Sequence, residues 1–235
     1  MQVFFEAIVQ AIRLPFEGSH GLLSVILTTF EVALLATLIG FILGTPVGLL
    51  IGASRFRGRG LLITLTNTGM AVPPVVIGLV VMMLLSRRGP LGPLELLYTV
   101  DAMVIAQVII SSPIIAGLTS SAVAAVPYRL RLQARSLGAS WFQEALLILK
   151  EARLGVLAAV ATGLGAVVRG VGAVLIVGGN IEGQTRVLTT AIVQESRRGE
   201  FGLAIALSLL LLAIVFAINA AITWFQHSGE KAGRG

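Results

Sequence analysis

The chain has 235 residues, 56% of them hydrophobic and only 12% charged, with no cysteine and a formal net charge of +6. Globular chains run about 45–50% apolar and about 25% charged, so this composition, with a mean hydropathy of +0.96, belongs to a membrane protein. The lack of cysteine excludes a disulfide framework, a thiol nucleophile and a cysteine-based zinc site.

The first eighteen residues, MQVFFEAIVQAIRLPFEG, read as an amphipathic segment lying at the membrane interface. A spanning helix needs about 20 mostly apolar residues. Five stretches meet that need: 21–52, 61–85, 98–123, 155–177 and 201–225. The first is long enough to tilt or to project beyond the bilayer. Pro73 and Pro74 should kink the second span and Pro113 the third, because each proline removes a backbone donor. Frequent glycines within the spans suit close helix packing in lipid. The expectation is an all-α integral membrane protein of five transmembrane helices, one domain over residues 1–235, with its longest connection at 124–154.

The basic residues fall on one side. Loops 53–60 and 124–154 and the C-terminal tail hold ten basic residues against three acidic ones. The other side holds six basic against seven acidic, and Glu31 and Arg169 lie inside spans. Basic excess marks the cytoplasmic face, which puts the N-terminus outside and the C-terminus in the cytoplasm. The net charge is thus a matter of topology, and no nucleic-acid partner is implied.

Glu31 and Arg169 both fall about eight or nine residues from the outer end of their spans, roughly 12–14 Å deep at about 1.5 Å per residue. Intramembrane charges tend to pair or to face a cavity. The two are expected to approach each other; the alternative is that Glu31 sits near the headgroups and Arg169 snorkels. Asn67, Thr68, Gln107 and Asn219 are polar residues of the kind that join helices in lipid.

Loop 124–154 carries five basic residues. Residues 128–137 read as a helix broken at Gly138. A second helix follows Ser140, whose hydroxyl stands at the N-cap with Gln143 at the capping-box spacing. Leu137, Trp141, Leu146 and Leu149 form its apolar side. Such a pair of helices suits docking into a groove of a partner; the alternative is a connector resting on headgroups.

Further along, Gly178, Gly179 and Asn180 should end a helix on the outer side. Gln184, Thr185, Arg186, Thr189 and Thr190 then read as donors facing outward, able to meet an oxyanion. The alternative is a helix stop with a polar surface loop.

Two stretches carry a resemblance. Ala134-Arg135-Ser136-Leu137-Gly138-Ala139-Ser140 resembles the cytoplasmic coupling loop of permease subunits from ABC importers. Leu132 and Gln133 depart from that signature, and so does Ile148-Leu149-Lys150-Glu151, which lacks its proline. "VGGNIEGQTRVLTTAI", from Val177 to Ile192, is similar to molybdate and tungstate permeases and nearest the tungstate branch; Gly170 stands where those often carry a glutamate. The resemblance covers roughly residues 20–225. It implies a type I ABC importer permease fold in a bacterial or archaeal plasma membrane, paired as a homodimer. It also implies a cytoplasmic ABC ATPase dimer that binds ATP and magnesium, and an extracytoplasmic oxyanion-binding protein. Ala134 through Ser140, with Trp141, would couple to the ATPase. Glu31, Arg169, Gly179, Asn180, Gln184, Thr185 and Arg186 are candidates for the path or gate, with Arg169 as an anion attractor. Alternatives are an importer of molybdate, sulfate or phosphate, or a membrane channel or scaffold without an ATPase.

No chemistry of catalysis is legible. The two lysines, Lys150 and Lys231, follow no glycine-rich phosphate loop, so no Walker A motif exists. His20 and His227 sit at opposite ends of the chain, which leaves no histidine triad and no zinc motif. The expectation is a non-enzymatic subunit with no catalytic residue, metal ligand or cofactor of its own.

Overall fold

The computed structural model describes residues 20–232, so the interfacial segment expected over 1–18 lies outside the described residues. Among these, every regular element is helical: α1 (His20–Ala53), α2 (Arg59–Ala71), α3 (Pro74–Leu85), a 3₁₀ turn (Gly92–Leu94), α4 (Val100–Ala124), α5 (Tyr128–Ser136), α6 (Trp141–Glu151), α7 (Arg153–Arg169), α8 (Val171–Gly178), α9 (Leu188–Arg198) and α10 (Phe201–Ala232). Three helices contain a stretch long and apolar enough to cross a membrane: Gly21–Ala53, Val100–Ala124 and Phe201–Trp224. Two broken pairs, α2 with α3 and α7 with α8, raise the candidate spans to as many as five. With 34 residues, α1 reaches about 50 Å, well beyond the roughly 30 Å hydrocarbon core.

The prolines act differently from one another. At Pro73 the expected kink is a complete break. A proline bars the residue before it from helical geometry. Val72 therefore adopts φ −62°, ψ 126°, and Pro73, itself followed by a proline, adopts φ −60°, ψ 134°. Pro74 then opens α3, where its missing donor costs nothing. Pro113 by contrast lies inside the continuous α4. The stretch expected as one span over 155–177 is likewise two helices. Gly170, at φ −72° and ψ 37°, separates them.

The chain forms two compact units. One comprises Thr37–Val72, Val108–Ala166 and the residues from Ile222 on. Within it α1 packs on α4 along a glycine stripe that the sequence reading passed over: Gly40, Gly44, Gly48 and Gly52. A Cβ on Gly44 would come within 2.6 Å of the Ser112 carbonyl oxygen. On Gly48 it would lie 2.5 Å from that of Ala116, and on Gly52 2.5 Å from that of Ser120. No side chain fits in such contacts, so the backbones touch directly. Both partners advance by four along the chain together, so α1 and α4 run parallel here. The Pro113 ring sits against Gly69 of α2.

The other unit comprises the residues up to Ala36, Pro73–Gln107 and Val167–Ala221. Here α3 and α8 meet through small residues, Gly78 against Ala173 and Gly172 against Val75. Val25, Leu188, Ala191 and Leu207 form a buried cluster. The break between α7 and α8 is stitched by Gln107, which is buried and donates its amide to the Gly170 carbonyl at 3.3 Å.

Candidate functional site

The stretch 128–151 is built around one carboxylate. Pro127 opens α5, and the helix closes in a Schellman arrangement: Gly138, at φ +78°, donates to the Arg135 carbonyl, and Ala139 donates to that of Ala134. Nothing lies within 4 Å of where a Gly138 side chain would begin, so backbone conformation alone requires the glycine. Ser140 caps α6 and completes the box with Gln143: the Gln143 N–H reaches the Ser140 hydroxyl, and the Ser140 N–H reaches Gln143 Oε1 at 2.8 Å.

Glu144 on α6 is buried and holds two arginines of α5. Its Oε1 accepts from Arg131 Nε at 3.0 Å and Arg135 Nη2 at 3.1 Å; Oε2 accepts from Arg135 Nε at 2.8 Å. The hydrogen bond from Arg135 comes first among the causes that hold the Glu144 carboxyl below the usual carboxylate range, while burial opposes it. The same bond raises the Arg135 guanidinium. Arg131 also donates to the Ala53 carbonyl, and Arg59 Nε to that of Ile51 at 2.8 Å. Both arginines thus occupy orphan carbonyls at the C-terminal end of α1, where cations are favoured. The sequence reading missed Glu144. The local signal is slight: Arg131 and Arg135 stand four apart on α5, and the first turn of the next helix holds one acid.

With the Glu144 carboxylate turned inward, this stretch also turns apolar groups outward. Leu137 is 88% exposed, Trp141 67%, Phe142 70% and Leu146 60%. Leu149, read with them as one side, instead packs partly against the buried cluster of Val123, Val126, Ile148 and Ala152. Ala134 is buried, and Ser136 returns its hydroxyl to the Gln133 carbonyl.

The stretch 178–190 is organised the other way. Gly179 ends α8 at φ +70°, and Asn180 follows at φ +53°. A side chain on Gly179 would also meet the ring of Tyr98, a residue whose backbone N–H donates to the Val177 carbonyl at 2.9 Å. Thr185 is 1% exposed; its hydroxyl accepts from the Ile181 N–H and donates to the Gly178 carbonyl. Thr190 is buried too and accepts from the Val187 N–H at 3.1 Å, opening α9. These two threonines therefore do not face outward as the sequence reading has them. Their hydroxyls satisfy backbone groups of a tight loop. Gln184 is exposed, Arg186 pairs with Glu182 at 3.2 Å, and Asn180 donates to Gln194. In the same unit Glu31 and Arg169 each lie on an exposed face of their helix.

Comparison with known proteins fits an outward apolar helix pair on a multi-span membrane protein. The family described as "Binding-protein-dependent transport system inner membrane component" matches residues 44–229. A probable anion ABC transporter permease protein of Haloferax volcanii is 40% identical over 220 residues, which cover 91% of this chain and 95% of that one. The tungstate uptake system permease protein TupB of Peptoclostridium acidaminophilum is 39% identical over 227 residues, 97% of this chain and 100% of that one. Among solved structures, an inward-facing MetNI methionine ABC transporter matches with a TM-score of 0.74 at 20% identity, over 88% of this chain and 95% of that chain. That likeness speaks for the fold alone.

Proposed function

The chain belongs to the family of inner membrane components of binding-protein-dependent transport systems, and from that premise we propose that it is the permease subunit of an ATP-driven importer for an oxyanion, tungstate in the first place. As a transport component of this family it is neither an enzyme nor a free-standing channel or scaffold. The single observation that carries the substrate is its 39% identity to a tungstate permease over the whole of that protein. The broader anion name of the Haloferax relative supports a second reading, import of molybdate, sulfate or phosphate.

In this reading two copies of the chain form the path. An ATPase subunit, binding ATP with magnesium, docks on residues 128–151. The exposed Leu137, Trp141, Phe142 and Leu146 are its anchors, because apolar groups held rigidly in water gain most from a partner groove. Ala134, Arg135, Ser136, Gly138, Ala139 and Ser140 shape that surface. An external binding protein delivers the anion near Gly179, Asn180, Gln184 and Arg186. Thr185 supports the loop from beneath. Arg169 and Glu31 belong to the path, where intramembrane charge has a use. The N-terminus lies outside and the C-terminus in the cytoplasm, in keeping with the basic residues of loops 53–60 and 124–154.

The test is uptake into proteoliposomes holding the permease with its own ATPase and binding protein. Labelled tungstate should accumulate only with ATP, and unlabelled tungstate should compete better than molybdate or sulfate. A stronger competition by molybdate or sulfate selects the second reading. ATP-independent uptake overturns both.

A further inference from the structure

A cavity of about 810 Å³ lies at the C-terminal end of α1 and is lined also by residues of α4, α5 and α6, Trp141 among them. Its polar wall holds Arg55, Arg59, Arg131 and Arg135 against a single acid, Glu144. Three of the four arginines already have partners: Arg131 and Arg135 hold Glu144, and Arg59 holds the Ile51 carbonyl. One carboxylate cannot neutralise four guanidiniums, so the cavity keeps a surplus of positive charge. Arg55 is exposed and makes no ion pair or hydrogen bond among the described residues. Leu49, Leu50, Val123 and Val126 give the cavity an apolar wall as well.

We infer that this cavity binds the phosphate of an anionic phospholipid, with Arg55 as the principal contact and an acyl chain against the apolar wall. A small inorganic anion would leave that wall wet, whereas an amphiphile fills both halves. The position agrees. The apolar span Gly21–Ala53 ends at the cavity, and Arg55-Phe56-Arg57 follows at once, the mix of cation and aromatic found at headgroup depth. Basic pockets at the ends of spanning helices recognise anionic headgroups, each arginine contributing roughly 1 kcal/mol, about fivefold in affinity. The inference does not depend on which oxyanion is carried.

Native mass spectrometry of the delipidated permease–ATPase complex tests it, with phosphatidylglycerol, phosphatidylcholine and inorganic phosphate as probes. Phosphatidylglycerol should bind at least fivefold more tightly than phosphatidylcholine. Arg55→Gln should lower that affinity about fivefold, and Arg55→Lys should recover most of it. Arg88→Gln, an exposed arginine outside the cavity, should leave it unchanged. Equal binding of the two lipids overturns the inference, as does an equal loss in Arg88→Gln. Displacement of phosphatidylglycerol by millimolar inorganic phosphate would make this a free-anion site and overturn it. So would an Arg55→Gln complex that loses its ATPase while lipid binding is unaltered, which would assign the cavity to the protein partner.

Discussion

Residues 128–151 and residues 178–190 are both short, polar and glycine-punctuated, yet they direct their side chains in opposite ways. The first buries its central charge and presents Leu137, Trp141, Phe142 and Leu146. The second buries hydroxyls, those of Thr185 and Thr190, and presents Gln184 and Glu182. The difference lies in what each backbone leaves unsatisfied. In the helix pair nearly every backbone group is bonded within a helix, a Schellman turn or a capping box. Side chains there are at liberty to define a surface. In the loop after α8 backbone bonds cover only part of the chain: Gln184, Thr185 and Arg186 all donate to the Ile181 carbonyl, while the Ile181 and Val187 N–H groups turn to threonine hydroxyls. A polar residue in a loop is therefore weak evidence for a binding role, while apolar residues gathered on a well-capped helix pair outside the spans offer a surface to a partner.

That contrast is broken most directly at the exposed anchors. Leu137→Asp combined with Trp141→Ala alters two mostly exposed side chains, so the permease should fold and span as before. Its affinity for the ATPase should fall about a hundredfold, the scale of losing two interface anchors. A binding titration with the purified ATPase reads this. Unchanged affinity would reduce the helix pair to a connector.

Glu144→Ala tests the inner half of the same region. It leaves Arg131, which is mostly buried, without its carboxylate, and α5 loses its tie to α6. The anchors remain but are no longer held in one geometry. ATPase affinity should drop about tenfold, and Glu144→Gln, which keeps an acceptor, should fall less. Equal loss in both variants would mean that charge, rather than positioning, matters.

The loop after α8 gives the opposite pattern. Thr185→Val removes a buried hydroxyl that serves two backbone groups and should destabilise the protein by about 1–3 kcal/mol, seen as a lower melting temperature. ATPase affinity should not move. Gln184→Ala, at an exposed position, should change stability by less than about 0.5 kcal/mol, so any loss of uptake in it would be a loss of contact with substrate or binding protein. A stability loss at Gln184 equal to that at Thr185 would erase the distinction drawn here.

How far the sequence foretold this depends on the kind of signal. The helical class and the approximate limits of the long spans follow from runs of apolar residues, which are local and long. The Ser140–Gln143 box and the Gly138 turn were legible because each needs only a few adjacent residues. The break at Pro73 exceeds the expected kink because Pro74 bars Pro73 from helical geometry just as Pro73 bars Val72. The α1–α4 contact was hidden although its glycines recur every four residues, since one stripe cannot name its partner. Glu144 and Thr185 were hidden for a related reason. Their roles lie in what the folded chain brings to them, a pair of arginines in one case and two backbone groups in the other.

The smallest expected effect is also the most exacting test of the inward charge. The carboxyl of Glu144 is held below its ordinary value chiefly by Arg135. A depressed acid lends its stabilisation at every pH above the unfolded value and loses it only as the pH falls through the folded one. Between pH 8 and pH 5.5, therefore, Glu144 stays ionised, the arginines stay paired, and ATPase affinity should be flat. Below the ordinary carboxylate range the tie should begin to fail in the wild type, while Glu144→Gln, which has no proton to gain, should show no such step. If wild-type affinity instead declined between pH 7 and pH 6, a group other than this carboxylate would govern the docking surface, and the clamp would be a bystander to it.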